Sequence, residues 1–250
     1  MAGWYVISTR PLNQHAGVRR AAGRLGARVF AMSTLRLQPL DAGGTLSEAL
    51  RCDLVIATSP TAVRSAHEQE SLAERRAQRW FAIGAGSASA LHRRGVAAVT
   101  TPALGSDSEA LLALPDLQEV QGRSVGLLTA PGGRGLLRER LRARGARLVI
   151  ASVYQREPRP VGPGRLQALS ELPVRSALLL TSIEAFEPIW RDLLEPARDR
   201  LRQRPCVVAS DRLSAHAREL GFVHVLRADD ARPASLLAAL ANHVSTGGFR

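Results

Sequence analysis

The sequence has 250 residues, of which 45% are hydrophobic and 22% are charged, a composition typical of a globular soluble protein. No apolar run approaches the roughly 20 residues needed to cross a bilayer, so we expect no membrane-spanning segment. The first residues lack the basic start and apolar core of a secretory signal, so we expect no secretion. The net charge is +12, and arginine supplies every fixed basic side chain because the chain contains no lysine. Since guanidinium groups bind carboxylates and phosphates with paired hydrogen bonds, this charge favours an anionic partner.

Short aliphatic runs followed by turn-forming residues predict the strands. They are expected near 4–8, 27–31, 53–57, 80–83, 97–100, 124–128, 147–151, 176–180, 205–209 and 223–226. Helical spacing of apolar residues fills most of the intervals. The clearest helices are expected at 17–25, 87–94, 136–143 and 213–220, each with a glycine after it that fits the left-handed position past a helix end. Helix starts are also expected at Ser106–Glu109 and at Pro233–Ser235.

The same three phrases occur twice in the chain. The pairs are 6–11 with 125–131, 54–59 with 177–182, and 81–84 with 206–209. Alternating strands and helices indicate parallel sheets covered on both faces, and the duplication indicates two of them. The sequence therefore predicts an α/β fold with two similar doubly wound parallel-sheet lobes. We expect the turn-rich segments Leu35–Gly44 and Arg156–Gly164 to connect the lobes, and a small molecule to bind in a cleft between them.

Hydroxyl side chains follow several predicted strands. They are Thr9, Thr58, Ser59, Thr129, Thr181 and Ser182. In doubly wound folds, ligands bind outside the carboxyl ends of the strands, where hydroxyls and helix amides can bind carboxylates. Helix capping is the alternative role for each of these residues taken singly.

Other classes of site have weak support. Gly84-Ala85-Gly86 lacks the third glycine of a dinucleotide loop, because Ser89 stands in that place. The loop Pro131–Gly135 lacks the Lys-Ser/Thr pair of a phosphate-binding loop. The six histidines show no metal-ligand spacing, and we expect Cys52 and Cys206 to be buried free thiols in a reducing cytoplasm. Aromatic residues make up only 4% of the chain, which disfavours binding of single-stranded nucleic acid.

The order and spacing of five short motifs resemble the uroporphyrinogen-III synthase family over nearly the whole chain. The motifs are Thr9–Pro11, Thr58–Val63, Ile83–Ala88, Ser152–Arg156 and Leu180–Ser182. The resemblance implies that the first strand-helix unit belongs with the C-terminal half. One lobe would then be 1–35 plus 160–250 and the other 43–150, with 36–42 and 151–159 as paired extended linkers. Simple tandem halves are the alternative arrangement.

The resemblance also implies an activity, that of a cofactor-independent cyclising hydro-lyase. Its substrate would be hydroxymethylbilane, a linear tetrapyrrole with eight carboxylates, which it would dehydrate and close to uroporphyrinogen III with inversion of ring D. Tyr154 would donate the proton to the departing hydroxyl, because a phenol carries its proton at neutral pH. The alternative role of Tyr154 is packing of a linker strand. The family-matched substrate-binding residues are Arg10, Thr58, Ser59, Ser87, Thr181, Ser182 and Ser214.

Two of these positions depart from the family pattern. Ser87 stands where the family often has threonine, and Ser214 follows a segment that lacks the usual glycine. We expect a monomer without nucleic-acid, membrane or metal partners, and the resemblance implies hydroxymethylbilane synthase as the partner from which the bilane could be handed on. The alternative function is a non-catalytic two-lobed binding module for a small polyanion. A regulatory protein that binds duplex DNA through its basic surface is a further alternative, which strong salt-dependent affinity would reveal.

Overall fold

The computed structural model of the protein describes residues 1–73, 78–103, 105, 107–132 and 135–247. The strands are β1 (Tyr5–Ser8), β2 (Arg28–Ala31), β3 (Leu35–Pro39), β4 (Leu54–Ala57), β5 (Arg79–Ala82), β6 (Val99–Thr100), β7 (Ser124–Thr129), β8 (Arg147–Ser152), β9 (Tyr154–Pro158), β10 (Ser176–Leu180), β11 (Cys206–Val208) and β12 (Val225–Arg227).

Helices occupy most of the intervals between strands. They are α1 (Ala16–Arg24), α2 (Gly43–Ala49), α3 (Pro60–Gln69), α4 (Ala85–His92), α5 (Ser108–Leu112), α6 (Pro115–Gln118), α7 (Leu136–Ala143), α8 (Pro163–Ser170), α9 (Ile183–Asp192), α10 (Glu195–Arg202), α11 (Asp211–Glu219) and α12 (Pro233–Ser245). None of the helices in the described part of the chain is both long and apolar enough to cross a membrane.

The chain divides into two compact units. Unit 1 comprises Met1–Leu37 and Glu157–Arg250, and unit 2 comprises Gln38–Arg156. The unit boundaries fall inside β3 and β9, which pair with each other as a two-stranded sheet. The predicted fold class, two doubly wound parallel-sheet lobes joined by a two-stranded linker, is confirmed.

Each unit contains a five-stranded parallel sheet, and the strands of the two sheets are arranged in corresponding order. The order is β12-β11-β10-β1-β2 in unit 1 and β6-β5-β4-β7-β8 in unit 2. Strands β1 and β2 therefore take the places in unit 1 that β7 and β8 take in unit 2. The strand order reverses between β10 and β1 in one sheet and between β4 and β7 in the other, and ligands of such sheets bind beside these reversal points.

The three central strands of the unit 1 sheet, β1, β10 and β11, are buried on both faces. Successive residues of β10 enter opposite cores: Leu178 and Leu180 pack in one apolar cluster, while Ala177 and Leu179 pack in the other. This arrangement explains why the strand is a continuous aliphatic run rather than an alternating one. In unit 2, Leu54 and Ile56 enter the cluster on one face of the sheet.

The glycines predicted to end helices do so. Gly26, Gly95, Gly145 and Gly221 follow α1, α4, α7 and α11, and their φ angles lie between 73° and 88°. The sequence did not predict α2, because Gly43 and Gly44 resemble a turn. Burial of Leu46 and Ala49 accounts for the helix that forms there.

Two sequence predictions fall partly outside the described residues. Ser106 belongs to the predicted start of α5, for which Asp107 is the cap and accepts the N–H of Ala110 at 2.9 Å. Gly133 and Arg134 belong to the glycine-rich loop after β7.

Candidate functional site

Two threonines meet where the strand order of unit 2 reverses. Thr58 follows β4 and Thr129 ends β7, and the parallel register sets Ala57 beside Leu128 one residue earlier. The Thr58 hydroxyl donates to the Leu128 carbonyl at 3.0 Å and lies 3.1 Å from the Thr129 hydroxyl. Both side chains are half-buried, so they form a polar pair at the carboxyl edge of the sheet.

Ser59 joins a helix cap to a buried tyrosine. Its Oγ accepts the N–H of Ala62 at 3.0 Å and so caps α3, in which Pro60 fits the first helical position. The same Oγ donates to Oη of Tyr154 at 3.1 Å. Tyr154 begins β9 and is only 4% exposed. The capping role weighed for Ser59 from the sequence is therefore present, and the same hydroxyl also holds the phenol.

The two threonines and the tyrosine border a small cavity of about 270 Å³, which we call the hydroxyl pocket. Its lining includes Thr58, Thr129, Tyr154, Arg138 and Arg156. The volume is at the lower end of the range for small-molecule sites, so the hydroxyl pocket can hold part of a larger ligand. With two arginines against a single carboxylate in its lining, it suits an anionic group.

Ser87, the remaining predicted residue of unit 2, lies apart from the lining of the hydroxyl pocket. It is in the first turn of α4 and is 2% exposed. Gly84, in an extended conformation, is the N-cap of this helix. As a glycine it has no side-chain hydroxyl with which to cap the helix. The structure thus brings together Thr58, Ser59 and Tyr154, whereas Ser87 is a buried helical residue.

In unit 1 the predicted residues lie on separate elements. Ser182 caps α9 and accepts the N–H of Ala185 at 3.3 Å, with half-buried Thr181 just before it. Arg10, after β1, donates from Nη2 to the Ala231 carbonyl at 2.7 Å. Burial lowers the pKa of the Arg10 guanidinium. Thr181 and Ser182 therefore follow β10 as Thr58 and Ser59 follow β4.

The two copies of the third phrase differ by one position from their sequence alignment. Gly84 caps α4 and Ser210 caps α11, so the fourth residue of α11, Ser214, matches Ala88, whereas the sequence alignment sets it opposite Ser89. Ser214 is 7% exposed, and its N–H donates to the Ser210 carbonyl at 2.9 Å. Ser210, which sequence reasoning missed, supplies the capping hydroxyl by accepting the N–H of Leu213 at 3.3 Å.

Sequence reasoning also missed a buried histidine in unit 1. His15 is 6% exposed; its Nδ1 lies 3.0 Å from the Ser8 hydroxyl and its Nε2 lies 2.7 Å from the Ser33 hydroxyl. Ser33 donates its own proton to the Arg10 carbonyl at 2.9 Å, so Nε2 must donate to Ser33 and Nδ1 must accept from Ser8. Burial and the charges of Arg19, Arg10 and Arg165 lower the pKa of His15 to about 4, which keeps the ring neutral.

The sequence profile described as uroporphyrinogen-III synthase HemD matches residues 18–238. The chain belongs to the uroporphyrinogen-III synthase family. Among curated relatives, the uroporphyrinogen-III synthase of Salmonella typhimurium is 38% identical over 193 residues, which cover 75% of this chain and 78% of the relative. The Escherichia coli enzyme of the same name is 33% identical over 192 residues, with the same coverage.

Solved structures of this family share the fold. A mutant uroporphyrinogen III synthase from Thermus thermophilus superimposes with a TM-score of 0.63 at 22% identity, covering 97% of this chain and 99% of the other. The uroporphyrinogen-III synthetase of Helicobacter pylori gives a TM-score of 0.61 at 16% identity, again covering 97% and 99%. The resemblance inferred from five short motifs is therefore confirmed.

Proposed function

We propose that this chain cyclises hydroxymethylbilane to uroporphyrinogen III, with loss of water and inversion of ring D, and that Tyr154 is its proton donor. Membership of the uroporphyrinogen-III synthase family makes the chain a lyase of tetrapyrrole biosynthesis. The role of Tyr154 rests on one observation: its buried phenol accepts a hydrogen bond from Ser59 and borders the hydroxyl pocket.

The direction of that hydrogen bond matters for the chemistry. Since Ser59 Oγ already accepts the N–H of Ala62, its own proton is available for Oη, and the proton of Tyr154 can go to a ligand. The bilane ends in a hydroxymethyl group, whose C–O bond must break before the ring can close. Transfer of the phenol proton to that oxygen breaks the C–O bond, releases water and leaves an azafulvenium cation, which is the electrophile, and a tyrosinate.

The inversion follows from which carbon attacks. The substituted carbon of ring D attacks the azafulvenium cation to give a cationic spiro intermediate, which fragments and recloses with ring D turned over. The proton lost when the macrocycle regains its aromatic pyrrole returns to the tyrosinate, so atoms and charges balance over the cycle. Without the enzyme the bilane closes uninverted, so the task of the protein is to hold the chain in the conformation that inverts.

The eight carboxylates of the substrate need donors. In unit 2 we propose Arg138 and Arg156, from the lining of the hydroxyl pocket, as these donors, and Thr58, Ser59 and Ser87 as further residues that contact the substrate. In unit 1 we propose Arg10, Thr181, Ser182 and Ser214. The support is strongest for Thr58 and Ser59, which lie at the strand-order reversal with Tyr154, and weakest for Ser214, whose position is shifted by one residue.

The deciding experiment measures which isomer forms. The purified chain is incubated with hydroxymethylbilane, and the products are oxidised to porphyrins and separated by chromatography. We expect the type III isomer to dominate, while an incubation without protein gives type I. The alternative, a non-catalytic binding module for polyanions, predicts bilane binding with only type I product.

We further propose that the enzyme works as a monomer in the cytoplasm and receives the bilane from hydroxymethylbilane synthase. The buried, unpaired Cys52 and Cys206 fit a reducing compartment. Spontaneous closure of free bilane gives a reason for hand-off between the two enzymes. Light scattering after size exclusion tests the monomer, and a dimer mass would contradict it.

A further inference from the structure

In addition to the hydroxyl pocket of unit 2, the protein has a cavity of about 540 Å³ in unit 1, which we call the arginine cavity. Its lining includes His15, Arg19, Ser33, Arg159 and Arg165. It lies between the start of α1, the end of β2 and the segment after β9. The volume is within the range of small-molecule sites and is twice that of the hydroxyl pocket.

The charge of the arginine cavity is uncompensated. Three arginines line it and none of its lining residues is acidic. The described residues contain no ion pair for Arg19, Arg159 or Arg165, whereas elsewhere Arg202 pairs with both Glu195 and Asp199. Burial and the charge of Arg19 lower the pKa of Arg165. An anion that enters the cavity therefore gains attraction from several guanidinium groups without displacing a carboxylate of the protein.

Two of the three guanidinium groups are held in place. Arg165 donates from Nε and Nη2 to the Ala31 carbonyl at 3.2 and 2.8 Å, and it stacks on the ring of Phe30 with its central carbon 3.8 Å from the centroid. Arg159 donates from Nη1 to the Ser33 carbonyl at 3.3 Å. Each group keeps further N–H donors, because a guanidinium has five. Anchoring reduces the side-chain entropy lost when a ligand binds.

His15 makes the inner wall of the arginine cavity neutral and fixed. Its two ring nitrogens are both occupied by serine hydroxyls, so it adds no charge and is not itself a free donor. The groups that face it are Arg19, Arg10, Arg165 and the hydroxyls of Ser8 and Ser33. An anion beside the arginines offsets their repulsion of a proton on the ring, so the histidine reports on occupancy of the cavity.

We propose that the arginine cavity binds a compact organic anion with two or more carboxylates. Separate guanidinium groups around one cavity match separate carboxylates on one ligand, and the volume exceeds what an inorganic ion needs. The anion has two sources: a free polycarboxylate, or the acetate and propionate groups of a pyrrole within the bilane. The second source rests on the proposed function, and the first does not.

The binding test uses citrate and a monopyrrole that carries one acetate and one propionate side chain, with its dimethyl ester as the uncharged control. Calorimetry measures affinity, and ¹⁵N–¹H spectra of the histidine side chains measure the titration of His15. We expect both acids to bind and to raise the pKa of His15, and the ester to do neither. Binding should weaken with added salt.

Arg19→Gln provides the decisive variant, because Arg19 is exposed on α1 and its loss leaves the anchors of Arg165 and Arg159 in place. We expect about a tenfold loss of citrate affinity. Arg20→Gln, on the next exposed residue of the same helix, is the matched control and should leave the affinity unchanged. An equal effect of the two variants, or no binding of either acid by the wild-type chain, would overturn the proposal.

Bilane turnover then separates the two sources. If citrate competes with the bilane, and Arg19→Gln raises KM with kcat unchanged, the cavity receives substrate carboxylates. If citrate binds without competition, the cavity serves a free polycarboxylate. The binding measurements do not require turnover, so a chain that fails to make the type III isomer can still confirm or refute the cavity as an anion site.

Discussion

The Ser59 hydroxyl lies 3.1 Å from the Tyr154 phenol while it also accepts the first-turn N–H of Ala62, so a helix cap and the proposed proton donor share one side chain. The hydrogen bond from the Ala62 N–H fixes the position of Ser59 Oγ. The hydrogen bond between Ser59 Oγ and Tyr154 Oη then orients the phenol. Because the phenol is buried, its orientation depends on this contact rather than on water.

Removing the phenol hydroxyl tests the proton donor directly. We expect Tyr154→Phe to lower kcat for uroporphyrinogen III by about 100-fold, since general acid catalysis contributes at least that much to a rate. The ring still packs, so the urea midpoint should change little. Tyr5→Phe is the matched control, because Tyr5 is the only other tyrosine and contacts Arg28 at 3.4 Å. An unchanged rate in Tyr154→Phe would remove the residue from the mechanism.

The Ser59 hydroxyl should affect both stability and turnover. We expect Ser59→Ala to cost about 1 kcal/mol of unfolding free energy through loss of the cap, and to lower kcat because Tyr154 loses its partner. Ser210→Ala removes a comparable cap from α11, with the Leu213 N–H at 3.3 Å, and should cost similar stability without lowering kcat. If the two variants lower kcat equally, the Ser59–Tyr154 contact has no specific role in turnover.

The neutral state of His15 should make stability depend on pH. Its pKa is lowered from the ordinary 6.5 to about 4 in the folded chain, so the unfolded chain takes up a proton first as the pH falls. The stabilisation is present above pH 6.5 and is lost progressively down to pH 4, by about 3 kcal/mol in all. Other groups titrate over the same window, so the measurement is the difference in unfolding free energy between wild type and His15→Gln.

The difference in unfolding free energy between wild type and His15→Gln should shrink as the pH falls from 7 to 4, because glutamine does not titrate. Urea unfolding at four or five pH values gives it directly. A constant difference between the two proteins across the window would mean that His15 titrates alike in the folded and unfolded chains.

Local patterns predicted most of the fold. Aliphatic runs predicted most strands, and Gly145 predicted the end of α7. Strand formation and helix termination depend largely on neighbouring residues, so a local pattern is enough to predict them. The pairing of Thr58 with Thr129 follows from the parallel register once the duplication is recognised. Contacts between residues that are distant in sequence could not be predicted from local patterns. His15 contacts Ser33, 18 positions away, only because the segment between them folds back.

The same limit applies to positions within repeats. The alignment of residues 81–84 with 206–209 sets Ser214 opposite Ser89, whereas the helix caps set it opposite Ala88, and one residue of difference moves a side chain by about 100° around a helix. The caps, Gly84 and Ser210, fix the correct match, and these depend on backbone conformation rather than on a sequence pattern. The family resemblance named Thr58, Ser59 and Tyr154 one by one; the contact of 3.1 Å between Ser59 Oγ and Tyr154 Oη comes from the structure alone.

Gly126, in the middle of β7, packs directly against the backbone of α2. A Cβ at this position would overlap the carbonyl oxygen and carbon of Ala49, the last residue of α2. The obstacle is backbone rather than a flexible side chain, so either α2 must retreat from the sheet or β7 must shift. We expect Gly126→Ala to lower the free energy of unfolding by at least about 3 kcal/mol, at the upper end for overpacked cores, and to disturb the Thr58–Thr129 pair at the end of the strand.

Gly44→Ala in α2 is the control, because a Cβ there meets no atom within 4 Å and alanine favours a helix. Urea unfolding of the two variants should therefore move in opposite directions, and a Gly126→Ala variant as stable as wild type would show that α2 does not press on the sheet.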